Sequence, residues 1–397
     1  MSFTKMMEGN EAAAWGANLA RAQVIPAYPI TPQTELISNI ATLIDEGKMR
    51  AEYIKVEGEH TAMAAACGAS AAGARVFTAS SSQGVAFMEE ALWMAPGMRL
   101  PIVMCFVNRS IAPIGSLRPD HNDSLLQRDN GWIQLYCENS QEVLDTIIMA
   151  YKIAENSNIV LPVAPCYDGY FVSATATPTN VPEQEKVDEF LPPYQNPFYS
   201  LIPGNFKIRP RTPNVARARY ELQQVMERAI DVIKDVDNEF GEKFGRKYGG
   251  LIEEYNCKGA DAVLITMGSM TGTARDVIDE LRNKGKKIGL VKLKCFRPFP
   301  VEEFKKLAKK YKALAIVDRN TSYGSGGGGI VSMEVSRAIY YVEEKPLLLN
   351  FHVGLGGSDV TMRQIEYMAL ETLNAVESGK VKNVVDWVEL HDLGEVM

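Results

Sequence analysis

Two glutamates stand two residues apart in Val56-Glu57-Gly58-Glu59-His60, after a short apolar run and before a helix of alanine, glycine and other small residues. A carboxylate at a helix start is stabilised by the positive end of the macrodipole, and that ordinary role accounts for one of the pair. The other would stand against a close-packed wall of small residues, where burial disfavours charge and suits a carboxyl group to passing a proton. Ala27-Tyr28-Pro29-Ile30-Thr31-Pro32 is a strand end stopped by two prolines, which would hold the Thr31 hydroxyl on a stiff turn; taken alone, a plain capping turn explains it as well. Val107-Asn108-Arg109 closes another apolar run. An arginine there is costly unless it meets an anion, whether a structural carboxylate or a ligand.

The elements that must position these residues read as α/β. Between Asn10 and Gly169 the apolar runs Gln23–Tyr28, Tyr53–Val56, Arg75–Ala79, Pro101–Val107 and Ile159–Ala164 do not alternate, as expected of parallel strands buried on both faces. Thr31, Glu59, Ser80–Gly84 and Arg109 all follow such runs, and so fall on the carboxyl edge, where open α/β sheets bind ligands. The helix Thr61–Gly73 is small on every side and points to an interface. Tyr170–Pro213, rich in proline, reads as an extended connector, with an amphipathic helix after it over Asn214–Phe240. A second α/β unit follows from Gly259, with strands Ala262–Met267, Ile288–Lys294 and Leu314–Val317 alternating with helices Thr273–Lys284 and Val301–Lys310. The expected division is therefore 1–170, 171–257 and 258–397. Gly324–Gly329, before a further helix, could cradle a phosphate on backbone N–H groups. It lacks the P-loop lysine and the dinucleotide spacing, which favours a structural or interface loop.

Composition narrows the partners. The 397 residues carry a net charge of −7, against the concentrated basic face that nucleic acid or an anionic membrane would require. No apolar run approaches the roughly 20 residues of a membrane span, and the start lacks the order of a signal peptide, so a cytoplasmic protein is expected. The six cysteines form no C-x-x-C pair and the four histidines are scattered, so no iron–sulfur cluster or metal cage is expected within this chain.

The segments GNEAAAWGANLARAQVIPAYPITPQTELI, EYIKVEGEHTAMAAACGASAAGARVFTASSSQGVAFMEEALWMAPGMRLPIVM and DHNDSLLQRDNGWIQLYCENSQEVLD, with KLKCFRPFP and AIVDRN further on, closely resemble the alpha subunit of pyruvate:ferredoxin oxidoreductase and its 2-oxoacid:ferredoxin relatives. The resemblance runs over essentially the whole chain. It implies a thiamine-diphosphate-binding fold of the pyrimidine type followed by a transketolase C-terminal-like α/β domain. It also implies roles. Glu59 would bond N1′ of the aminopyrimidine, whose 4′-amino group can act as an internal base only with an acid at that nitrogen. Thr31 and Arg109 would face the thiazolium and the substrate carboxylate, with Pro29, Ile30, Ser82 and Gln83 as further cofactor contacts. Coenzyme A would be the cosubstrate. No Gly-Asp-Gly of the kind that binds Mg2+ and diphosphate occurs, so that half of the site, like the [4Fe-4S] clusters, is expected on partner chains: a beta subunit, a gamma subunit and a ferredoxin-like delta subunit, in a dimer of heteromers serving an external ferredoxin.

The segment after Arg109 would form a substrate loop containing Ile114, Leu117, Arg118, Asp120 and His121, with Gly115 giving it freedom as a lid. Relatives that use pyruvate usually carry a bulky apolar residue shortly before the Asp-His pair, where this chain has Arg118-Pro119. An inward Arg118 would favour a second carboxylate. An outward one leaves pyruvate first and a branched-chain or aryl 2-oxoacid second, and outward is expected because a buried unpaired cation costs several kcal/mol. The reading of a different class is a non-catalytic assembly subunit.

Overall fold

The computed structural model describes residues 2–112, 115–200, 204–209, 212–326 and 328–392. The strands of the first half are β1 Phe3–Met7, β2 Val24–Ala27, β3 Glu52–Lys55, β4 Phe77–Ser80, β5 Val103–Asn108, β6 Ile133–Cys137, β7 Val163–Asp168 and β8 Thr177–Val181. The second half adds β9 Ile252–Tyr255, β10 Ala262–Thr266, β11 Ile288–Leu293, β12 Cys295–Arg297, β13 Ala313–Asp318, β14 Leu347–His352 and β15 Val385–Trp387. One sheet runs β12-β6-β7-β5-β4, and the parallel pair β2-β3 adjoins it through a bridge between Val24 and Val76. The other runs β15-β14-β13-β10-β11-β9, parallel except for the antiparallel edge strand β9. β1 and β8 form a small antiparallel ribbon.

The run Tyr53–Val56, expected to be buried on both faces, is largely exposed along β3, an outer strand of its pair, and two further elements depart from the sequence expectation for physical reasons. β6 escapes a search for apolar runs because Gln134 and Tyr136 interrupt it, yet both are fully buried. The Gln134 amide donates to the Ser124 carbonyl at 2.7 Å, and the Tyr136 hydroxyl lies 2.7 Å from Ser124 Oγ. Polar side chains satisfied in this way can sit in a core. The run Ile159–Ala164 lies ahead of its strand, which extends instead from Val163 to Asp168 because that buried carboxylate is paired. The connector is also more ordered than expected, holding β8 and the helix Gln184–Phe190 before the long helix Val215–Phe244.

The two sheets are joined in three ways. Strand β12 belongs by sequence to the second half but pairs with β6 of the first sheet. One apolar cluster runs from Met63 and Phe106 to Val291, Leu314 and Val335. A buried ion network adds directionality: Lys292 Nζ lies 2.7 Å from Glu142 and 3.0 Å from Glu138, and Lys294 Nζ lies 2.9 Å from Glu142. Burial opposes charge on Glu142, but the two ammonium groups outweigh it and hold the carboxyl group down at about 2. Both carboxyl edges are therefore held in a fixed relation.

Candidate active site

The helix Glu59–Ala71 separates the two glutamates by environment. Glu57 is exposed; its own backbone N–H and the Thr61 hydroxyl, at 2.8 Å, bond its carboxylate and hold it below the usual range. This is the ordinary helix-start role. Glu59 is buried, 8% exposed, at the start of the helix. Gly84 leaves the space in front of it: a Cβ there would lie 2.5 Å from both Glu59 Oε1 and Ser80 Oγ. Ser80 Oγ and Ser81 Oγ are buried without a partner among the described residues.

The Pro29–Pro32 turn is held from beneath. The Gln33 side chain accepts from the Ile30 N–H at 3.1 Å and donates to the Ala79 carbonyl at 3.1 Å, while Asn10 donates to the Pro32 carbonyl at 2.8 Å. Thr31 is exposed at its apex, and Arg109 Nη1 donates to its carbonyl at 3.0 Å. Arg109 Nε is buried and unpartnered among the described residues. The structure thus brings Thr31, after β2, and Arg109, after β5, into contact.

A residue outside the sequence reading organises the neighbouring loops. Asp123, fully buried, accepts from the Ser82 N–H at 2.9 Å, the Arg109 N–H at 2.9 Å and the Asn108 amide at 2.8 Å. Burial raises its carboxyl group to about 6, against the pull of those donors. Ser82 takes the left-handed backbone region, with φ of 48°, and its hydroxyl donates to the Ser110 carbonyl at 2.7 Å. Its atoms are buried, whereas Gln83 is half-buried beside it.

The expected substrate loop divides. Ile114 lies outside the described residues, and Leu117 and Arg118 are exposed. Gly115 serves close packing: a Cβ there would lie 2.6 Å from the Ile111 carbonyl oxygen. Asp120 and His121 turn away toward the second sheet. His121 Nε2 lies 2.8 Å from Asp168, and Arg319 Nη1 lies 3.2 Å from the same carboxylate. Burial opposes charge on Asp168, but those two partners and the Ser269 hydroxyl hold it well below the usual range.

The glycine-rich loop resolves into a structural element. The N–H groups of Gly329, Ile330, Val331 and Ser332 are taken by Asn350, Asn320 and Asp318 at 2.7–3.2 Å. These are the donors a phosphate would need. Among the described residues, no helix is long and apolar enough to cross a membrane.

Comparison with known proteins accords with this layout. The family model described as pyruvate flavodoxin/ferredoxin oxidoreductase, thiamine diphosphate-binding, matches residues 15–240, and pyruvate:ferredoxin oxidoreductase core domain II matches residues 260–365. Fold and match together define a thiamine-diphosphate-binding oxidoreductase subunit. The chain belongs to the 2-oxoacid:ferredoxin oxidoreductase family, as an alpha subunit. It is 44% identical to pyruvate synthase subunit PorA of Pyrococcus furiosus, with 98% of each chain covered. It is 46% identical to ketoisovalerate oxidoreductase subunit VorA of Pyrococcus horikoshii, covering 97% of this chain and 98% of that one. Among solved structures, 2-oxoglutarate:ferredoxin oxidoreductase from Magnetococcus marinus matches with a TM-score of 0.67 and 22% identity, over 93% of this chain and 65% of that one. A split-gene transketolase matches with a TM-score of 0.54 and 14% identity, over 93% of this chain and 99% of that one. At these identities the two structures speak for the fold alone.

Proposed function

We propose that this chain supplies the aminopyrimidine side of a shared thiamine diphosphate site in a cytoplasmic enzyme that converts a 2-oxoacid and coenzyme A to acyl-CoA and CO2, reducing ferredoxin. The observation that carries the reading is the carboxyl group of the buried Glu59 facing the space left by Gly84, beside the orphaned hydroxyls of Ser80 and Ser81. Buried polar groups without partners are few in native proteins, and a bound cofactor would complete the bonding of these. A flat heteroaromatic ring with one basic nitrogen fits them. Bound there, thiamine diphosphate supplies the carbon nucleophile for the 2-oxo group and an electron sink once CO2 departs. Glu59 would hold the proton at the ring nitrogen. The free Nε and planar fork of Arg109, next to Thr31, suit the substrate carboxylate.

Mg2+, diphosphate contacts and [4Fe-4S] clusters are assigned to beta, gamma and delta partner chains, because this sequence holds neither a Gly-Asp-Gly nor a C-x-x-C. The helix that starts at Glu59 turns Ala64, Gly68 and Ala72 outward, and the side chains of Phe87 and Trp93 are exposed nearby. A smooth apolar face of this kind suits the beta chain closing over the ring. Pyruvate is placed first, since Arg118 is exposed on this chain and Arg109 then serves a single carboxylate. A branched-chain acid comes second, and relatives named for pyruvate and for ketoisovalerate stand equally near.

The test is to isolate the chain with its co-purifying partners and assay pyruvate, 2-oxoisovalerate, phenylglyoxylate and 2-oxoglutarate anaerobically, with coenzyme A and a viologen dye. Coenzyme A-dependent dye reduction with pyruvate preferred is expected. Reduction with none of the four would overturn the proposal, and a preference for 2-oxoglutarate would overturn the substrate.

A further inference from the structure

Beyond Arg109, Ser110 is tied to both Ser116 and Arg118. The Ser116 N–H donates to Ser110 Oγ at 2.6 Å, and the Ser110 N–H donates to the Arg118 carbonyl at 3.0 Å. This segment rests on the second sheet, against the turn Gly354–Ser358 that follows β14. Ser116 Oγ donates to the Gly356 carbonyl at 2.5 Å, and Asp120 Oδ2 accepts from the Gly356 N–H at 3.3 Å. Arg118 fills the place of a missing side chain: a Cβ on Gly357 would lie 1.9 Å from Arg118 Cβ. A turn with φ of 75°, 59° and 84° at Gly354, Gly356 and Gly357 admits this close approach.

The turn is in turn clamped from behind. Glu389, near the end of the described chain, accepts from the N–H groups of Gly354 at 2.5 Å and Leu355 at 3.2 Å. Arg319 donates to the carbonyls of Gly354 at 3.0 Å and Ser358 at 3.3 Å. Arg319 is already engaged with Asp168, whereas Glu389 has the turn as its main task. A half-buried carboxylate reaching two consecutive amides locks their orientation, because each bond is charge-assisted.

We propose that Glu389 is a positioning residue for substrate: through the Gly354–Gly357 turn it sets where Ser116–Arg118 stand relative to Arg109, and so which 2-oxoacids the site accepts. This rests on the reading that Arg109 holds the substrate carboxylate. It assigns part of the specificity to the second α/β unit, which carries none of the groups proposed to touch the cofactor. Small displacements suffice, since about 1 Å of misplacement can cost on the order of 100-fold in rate.

The experiment uses the assembled complex carrying Glu389→Ala, Glu389→Gln or Gly357→Ala. It measures kcat and KM for pyruvate and 2-oxoisovalerate, together with thiamine diphosphate affinity. Glu389→Ala should raise KM for the preferred acid by about tenfold, with kcat and cofactor affinity nearly unchanged, and shift the preference between the two acids by about fivefold. Glu389→Gln keeps an acceptor oxygen for both amides and should stay close to wild type. Gly357→Ala pushes directly on Arg118 and should reproduce the shift in preference without touching Glu389. An unchanged preference in both Glu389→Ala and Gly357→Ala, or a Gln variant as impaired as Ala, would overturn the proposal while leaving the 2-oxoacid reading intact. Absence of turnover with both acids in the wild-type complex would overturn both.

Discussion

At the carboxyl edge of the first sheet, the Ser80 and Ser81 hydroxyls and Arg109 Nε end without partners among the described residues, beside the buried Glu59. At the carboxyl edge of the second, four consecutive N–H groups behind a glycine-rich loop are all taken by Asp318, Asn320 and Asn350. Both edges follow parallel strands, and the second has the more familiar look of a phosphate site. The difference teaches that a helix start after glycines is a site only if its donors are free. Unpaired buried groups are the better marker, because leaving one unmade costs about 1–3 kcal/mol unless something arrives to complete it.

The largest effect expected from breaking this contrast is chemical. Glu59→Gln in the assembled complex should keep the fold and the cofactor site but lower turnover by about 10²–10⁴-fold, the contribution of one positioned acid–base group. Near-normal dye reduction by the purified variant would remove Glu59 from the chemistry.

At the second edge the same kind of change should act on stability. Asp318→Ala strands buried N–H groups and should lower unfolding free energy by about 3 kcal/mol, read from urea denaturation, with turnover per folded molecule unchanged. Acid sharpens the point. Burial raises Asp318 to about 6 from an ordinary 3.8, so the folded chain keeps a proton there that the unfolded chain has lost. Stability therefore falls as pH rises from 3.8 to 6, and Asp318→Asn should flatten that slope. Glu142, held at about 2 against an ordinary 4.5, has the opposite sign: its contribution is present above 4.5 and lost as pH falls toward 2. Glu142→Gln should flatten only the acid limb. Denaturation midpoints across pH for the two variants decide this, and identical profiles would contradict the assignment.

The smallest effect belongs to the tip of the glycine-rich loop. Tyr323 is 77% exposed, and Tyr323→Ala should change neither turnover nor stability by more than about 0.5 kcal/mol. A marked loss of turnover would give that loop a function the contrast denies it.

What the sequence made legible follows the range of the interactions. Glu59, Thr31 and Arg109 were readable because each stands directly after an apolar run, and in a parallel sheet that local position places a residue on the ligand edge. Asp123 was not, because its partners Ser82 and Arg109 lie 41 and 14 residues away and it stands beside no strand. Gln33 and Asn10 hold the Thr31 turn through bonds to its backbone, Gln33 accepting from the Ile30 N–H and Asn10 donating to the Pro32 carbonyl, which any amide side chain can make and no spacing reveals. Strand β12 was hidden for a different reason: it follows directly on the strand read as Ile288–Lys294 in the second unit, yet Cys295–Arg297 cross over to pair with β6. His121 was read as part of the substrate loop from its place after Arg109. Its pairing with Asp168 and the backbone contact to Arg319 depend on the packing of the two sheets, which no local pattern encodes.

As proposed, the chain holds one half of a cofactor site. Titrating thiamine diphosphate with Mg2+ into the isolated chain and into the chain assembled with its partners, by calorimetry, tests that most directly. Saturable binding is expected only in the assembly, weakened there by Gly84→Ala, whose new Cβ would enter the space before Glu59. Tight, saturable binding by the isolated chain would contradict it.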